Sequence, residues 1–220
     1  MTKLSLAAIA IFIAPGASAD LLYDLSPHDP QLAFASDSVP GQFNNQRLAE
    51  AFTIGSPSEI QRFKWWGRSE GAFFSDLRNM ESFTMAVFAD DAGMPGTELA
   101  SETALTEDIA PIEVGEDPFG IPIWEFDFTM DSSLAVAPGN YWFSVGSDNF
   151  DPDGDGFYWQ AAVPSVSNNF AAQIPVGSDW EISGFADLSF QIHGVVVPEP
   201  ATLAAVAAGL AFAVSRRRCR

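Results

Sequence analysis

Apolar residues in this chain recur at every second position, in short runs cut off by Gly, Pro, Asn and Asp. Phe83, Met85 and Val87 alternate with Thr84 and Ala86, and Trp124, Phe126 and Phe128 alternate with Glu125 and Asp127. Tyr141, Phe143 and Val145 stand opposite Trp142 and Ser144. Leu188, Phe190 and Ile192 alternate with Ser189, Gln191 and His193. A strand turns successive side chains to opposite faces, so a period of two buries one face and wets the other. Further strands are expected at 48–54, 60–66 and 157–161. No stretch offers a capped amphipathic helix, which sets an α/β fold aside. About eight to ten such strands, with no internal repeat, predict an all-β chain folded as an antiparallel β-sandwich of jelly-roll type. The domain is expected over residues 20–194.

The two ends break this pattern. Lys3 precedes an apolar run from Leu4 to Ala14 and a Pro15-Gly16 break. Ala17 and Ala19 then supply the small side chains that signal peptidase accommodates, so residues 1–19 read as a signal peptide helix cut before Asp20. At the far end, Pro198-Glu199-Pro200 leads into an apolar stretch closed by Arg216, Arg217, Arg218 and Arg220. Basic residues stay on the cytoplasmic side, which places the domain outside. Residues 201–214 make about 21 Å of helix against an apolar core of about 30 Å. Such a short transmembrane helix suits a transient hold better than a lasting anchor. The two prolines fix an extended backbone and present Glu199 as a rigid segment.

Val-Pro-Glu-Pro-Ala-Thr-Leu, a short apolar helix and a terminal arginine cluster together resemble the PEP-CTERM sorting signal, here over residues 195–220. The resemblance implies recognition of Pro198, Glu199 and Pro200 by a membrane-embedded exosortase that removes the tail, in bacteria that often secrete exopolysaccharide. The body is similar to the "choice-of-anchor" exported domains. That similarity rests on the run Phe83–Gly96, on Trp65-Trp66-Gly67, on Gly139–Val145 and on Asp187–Gly194. It implies varied routes to the cell surface and names no ligand.

Charge narrows the partners. The chain carries a net charge of −19, and once Lys3, Glu199 and the terminal arginines are set aside the middle carries −23. Such a surface repels phosphate backbones, which excludes nucleic acid. The apolar content of 47% excludes disorder of the middle. The only cysteine is Cys219, so no intrachain disulfide forms. His28, in a Pro-rich stretch read as a loop, and His193, at a strand end, accompany no nucleophile motif and make a poor zinc pair.

Two local features point to ligands. Asp151, Asp153 and Asp155 followed by Gly156 reproduce the first half of a Ca²⁺ loop, but the position of the bidentate Glu holds Ala162. The alternatives are a looser Ca²⁺ site and a solvated turn. Trp65, Trp66, Tyr158 and Trp159 are candidates for an aromatic platform that stacks on sugars, or else core residues. The reading is an exported, non-enzymatic surface or matrix protein, sorted by exosortase and associated with exopolysaccharide. A secreted carbohydrate-binding module is the alternative. A hydrolase would need two inward-facing carboxylates in a cleft.

Overall fold

The computed structural model describes residues 19–36, 45–70, 82–147, 156–163, 169–183 and 185–198. Among them run thirteen strands and one turn of helix. In order they are β1 (Asp20–Leu25), β2 (His28–Ala35), β3 (Arg47–Ile54), β4 (Ser58–Glu70), β5 (Ser82–Asp90), β6 (Pro95–Leu105) and α1 (Thr106–Ile109). There follow β7 (Ile112–Glu116), β8 (Pro122–Val136), β9 (Gly139–Ser147), β10 (Gly156–Ala162), β11 (Phe170–Gln173), β12 (Glu181–Ser183) and β13 (Phe190–Val196). Every ladder between them is antiparallel. The chain is all-β and forms the expected sandwich of two antiparallel sheets. The terminal helices fall outside the described residues.

The thirteen-residue β4 is the spine of the first sheet. Trp65 pairs with Phe190 of β13 and with Phe126 of β8, so those strands flank β4 on opposite edges. Gly67 pairs with both Trp124 of β8 and Trp159 of β10, which puts β10 on the same edge as β13, one above the other. β1 closes against β13, β2 against β10, and β7 against β8. The second sheet runs β12-β11-β3-β9-β5-β6.

The alternating residues of β4, β5, β8, β9 and β13 meet between the sheets. Trp65 stacks on Phe126 with centroids 5.3 Å apart and planes 3° from parallel, and Phe63 stacks on Phe143 at 4.5 Å and 8°. Phe83, Phe157, Trp159 and Phe190 fill the remaining core at tilted or edge-on angles. Burying a large aromatic excludes up to about 250 Å² from water, so this cluster is the main source of cohesion. The second sheet is covered on its outer face too. There Ala49, Ala86, Phe88, Trp142 and Ala171 form a smaller cluster capped by Trp180, with Arg47 lying 5.1 Å over the Phe88 ring. Buried residues of both parities in β9 follow from this double cover.

His28 corrects the loop reading, since it opens β2 opposite Ala162. Pro30 is tolerated there because, among the described residues, β2 pairs only with β10, and an edge strand needs no N–H on its outer side. The β7–β8 turn is organised by Asp117. Its Oδ1 accepts from the N–H groups of Phe119 and Ile121 at 2.8 Å each, while Oδ2 accepts from Arg68 Nη1. That pair is buried and ties the turn to β4.

Gly67 sits in the β4–β10 ladder opposite Trp159, under the Phe157 ring. A Cβ there would lie 2.1 Å from the Phe157 ring and 2.9 Å from the Tyr158 carbonyl, whereas one at Gly55 meets nothing within 4 Å. Gly67→Ala is therefore expected to destabilise the domain by about 1–3 kcal/mol, as overpacking does. Gly55→Ala should leave it within about 0.5 kcal/mol. Urea denaturation of the two variants checks the contrast, and equal midpoints would contradict it.

Candidate functional site

The aromatic residues expected to stack on sugars are packed inside. Trp65 and Trp159 are 0% exposed, and the Trp159 Nε1–H donates to the Ser189 carbonyl at 2.8 Å. Trp66, at 7%, lies against the His28 ring with centroids 6.0 Å apart. Tyr158 alone of the four is half-buried, on β10 between Arg68 and Ala35. The platform reading is corrected for the three tryptophans, whose faces are taken by protein neighbours. The doublet places its rings on opposite faces of β4 as expected, but the outer ring is covered by the β2 strand that the sequence reading left as loop. Asp151, Asp153 and Asp155 lie outside the described residues. Among those described, no group of three or more His, Cys, Asp or Glu is placed to hold a metal ion.

A cleft of about 580 Å³ opens on the side of the sandwich, where among the described residues the β11–β3 ladder ends at Ala49. Tyr23, Glu50, Asp90, Trp142 and Asp187 line it. Glu50 and Asp187 are both 1% exposed, so two inward-facing carboxylates are present. Their hydrogen bonds define their work. Glu50 Oε1 accepts from the Ala51 N–H at 2.9 Å, and Oε2 accepts across the sandwich from the Leu188 N–H at 2.8 Å. The Tyr23 hydroxyl donates to the Ala51 carbonyl at 3.4 Å. These groups satisfy the β3 backbone beyond that ladder and bridge it to the chain entering β13. Asp187 Oδ1 accepts from the Asn169 N–H at 3.1 Å.

Burial, with a smaller contribution from Asp187, pushes the Glu50 carboxyl well above the usual range against its two backbone donors. Burial and the nearby Glu50, Asp187 and Asp24 push Tyr23 up to about 12. His28 and His193 are both lowered, first by burial, which keeps the rings neutral at neutral pH.

The outer face of the first sheet carries three of the four basic residues described, Arg62, Lys64 and Arg68, at alternate positions of β4. Arg62 grips both oxygens of Asp127, and Lys64 Nζ lies 2.6 Å from Glu125 and 3.8 Å from Asp127. Burial alone would raise Asp127, but the hydrogen bonds and charge of Arg62, with Lys64 and His193, outweigh it and lower the pKa.

The sorting element lies where the sandwich ends. β13 continues to Val196, beyond the boundary expected at 194. Val195 pairs with Glu59 and Val196 with Ser58, and the Val197 N–H donates to the Pro57 carbonyl at 2.7 Å. Pro198 has no N–H, so the ladder stops at the first residue of the motif. On the other edge of β13, Asp20 stands opposite Gly194. A Cβ on Gly194 would lie 2.0 Å from the Glu59 carbonyl and 2.8 Å from Leu22, so glycine permits β1, β13 and β4 to close here. Ala19 and Asp20 are described at this end. Ala17, Glu199, Pro200, Arg216, Arg217 and Arg218 lie outside the described residues.

A β-sandwich whose last strand runs directly into a Pro-Glu-Pro segment is the architecture of a domain carried by a C-terminal address. The family described as the PEP-CTERM protein-sorting motif matches residues 196–218. The chain thus carries a PEP-CTERM motif, which marks an exported, membrane-passing protein sorted by exosortase. No curated protein matches the chain.

Glu50 makes the domain sensitive to pH in a defined direction. A carboxyl whose folded pKa is raised adds stability below its ordinary pKa, and that stability is lost as pH rises through the raised value. Denaturant melts at a series of pH values should show this decline above about pH 4.3. Glu50→Gln, which cannot ionise, should flatten it. A slope unchanged in the variant would mean that Glu50 does not carry the effect.

Proposed function

We propose that this is a non-enzymatic protein of the cell surface or extracellular matrix that associates with exopolysaccharide. In this reading signal peptidase cuts before Asp20, the C-terminal segment holds the folded domain at the membrane, and exosortase then removes the tail. The single observation that carries it is the sorting motif joined without a spacer to the last strand of a closed sandwich. The whole domain is cargo, and the address is detachable. The acidic surface supports a matrix role, since like charge keeps an exported protein soluble at high local concentration.

The non-enzymatic part is supported by the engagement of Glu50, whose two oxygens are both committed to backbone N–H groups. A proton-transfer group has to reach substrate rather than satisfy a strand edge. The carbohydrate-binding alternative loses its principal support with the burial of Trp65, Trp66 and Trp159.

Intact-mass spectrometry of protein recovered from the envelope and matrix of the native host tests the reading. The expected species begins at Asp20, ends between Pro198 and Pro200, and sediments with polysaccharide. Its loss to the medium in a host unable to secrete exopolysaccharide is the matching expectation. A species that keeps Arg220, or one indifferent to polysaccharide, would overturn the corresponding part.

A further inference from the structure

The side cleft carries polar groups beyond those that serve the β3 backbone. Glu50 and Asp187 are buried in it, and both oxygens of Glu50 are taken by backbone N–H groups. Thr53 and Asn140 line it as exposed partners across the β3–β9 ladder, and the Thr53 hydroxyl donates to Asn140 Oδ1 at 2.9 Å. A primary amide has two donor hydrogens besides its oxygen, and a hydroxyl that donates can still accept. The pair therefore offers donors and acceptors at one spot.

Asp90 lines the same cleft and is held in place. The Trp142 Nε1–H donates to its Oδ1 at 2.9 Å, and the Gly93 N–H donates to its Oδ2 at 3.2 Å. The second bond depends on the turn that joins β5 to β6. There Asp91 and Met94 exchange backbone hydrogen bonds of 2.8 and 3.2 Å, and Ala92 and Gly93 between them have φ of 55° and 85°. Two residues of positive φ are what a two-residue hairpin turn requires, and alanine takes that conformation against its preference. A carboxylate has about four lone-pair sites, so Asp90 keeps acceptor capacity after both bonds. Trp142, only 4% exposed, serves to fix Asp90 and offers no stacking face.

The remaining lining narrows the ligand. Leu25, Ala51 and Phe52 add apolar surface, and no Arg, Lys or His lines the cleft. An anionic group would enter a strongly acidic domain there with no cation to meet it. The cleft, at about 580 Å³, lies within the range of about 300–1,000 Å³ usual for small-ligand sites. A ligand matched to it has several hydroxyls, apolar C–H faces and no negative charge.

We infer that the cleft holds an uncharged sugar unit of the exopolysaccharide. Thr53, Asn140 and Asp90 meet its hydroxyls, and Leu25, Ala51 and Phe52 meet its C–H face. The inference rests on the association with exopolysaccharide proposed above, and adds to it a site and a class of sugar. Recognition runs through hydroxyls instead of a stacking platform, and units bearing carboxylate or sulfate are excluded by charge. A cationic segment is the competing occupant. It is disfavoured because Glu50 and Asp90 each already accept two hydrogen bonds.

The test uses the protein recovered from its native host and oligosaccharides cut from that host's exopolysaccharide, divided by anion exchange into neutral and acidic pools. Calorimetric titration should show binding of the neutral pool and none of the acidic pool. In Thr53→Ala/Asn140→Ala the affinity should fall at least about tenfold, as loss of one or two hydrogen bonds implies. The urea midpoint should hold, because both side chains are exposed. Binding of the acidic pool, binding of neither pool, or full affinity in the double variant would overturn the site. Tetralysine that displaces the neutral pool would overturn it in favour of a cationic segment. Sedimentation with the intact polymer keeps the two readings apart. A protein that sediments but fails the titration loses the cleft and keeps the association, and one that does not sediment loses both.

Discussion

The two sheets are held at a fixed separation by aromatic rings stacked face to face across and along the interior. Trp65 against Phe126 and Phe63 against Phe143 are nearly parallel pairs, and the other rings pack edge-on around them. Trp65 and Phe63 both belong to β4, the strand flanked by β8 on one edge and by β13 and β10 on the other. Displacing β4 would therefore disturb the core and three ladders together. The chain has no disulfide to share that load, since its single cysteine is Cys219.

Some of the buried polar groups serve backbone that the ladders do not satisfy. Glu50 and Tyr23 serve β3 beyond its described ladder with β11, and Asp117 ties a turn to Arg68. An unsatisfied buried N–H costs about as much as a lost hydrogen bond, which accounts for a carboxylate in so apolar a setting. The same logic explains the charged ladder on β4. Arg62 and Lys64 face solvent beside Asp127 and Glu125, and a strongly acidic domain gathers most of its described cations where they neutralise paired carboxylates.

The closing of β1 on β13 links fold to destination. The first strand of the domain and the last are neighbours, so the sheet is complete only when the whole domain has crossed the membrane. It also sets Asp20 and the strand that leads into Pro198 side by side at one end of the sandwich. The sorting motif is thus presented by the folded domain at a defined distance rather than on a loose linker.

The alternating runs by themselves determined the strands at 83–87, 124–128 and 141–145, the last strand from Phe190 on, and the sandwich they build, because period-two burial is a local property of the strand. The Pro-Glu-Pro segment and terminal arginines likewise determined where the chain is sent, because such addresses are read as linear sequence. The fates of Trp66 and Glu50 were not legible in this way. Nothing near Trp66 in sequence says that β2 will bring His28 over its ring, and nothing near Glu50 says that the Leu188 N–H will reach its carboxyl. The adjacency of Asp20 and Gly194 was equally hidden. Those outcomes were decided by tertiary structure alone, since each depends on which distant strand becomes a neighbour, and pairing between segments far apart in sequence leaves no local mark.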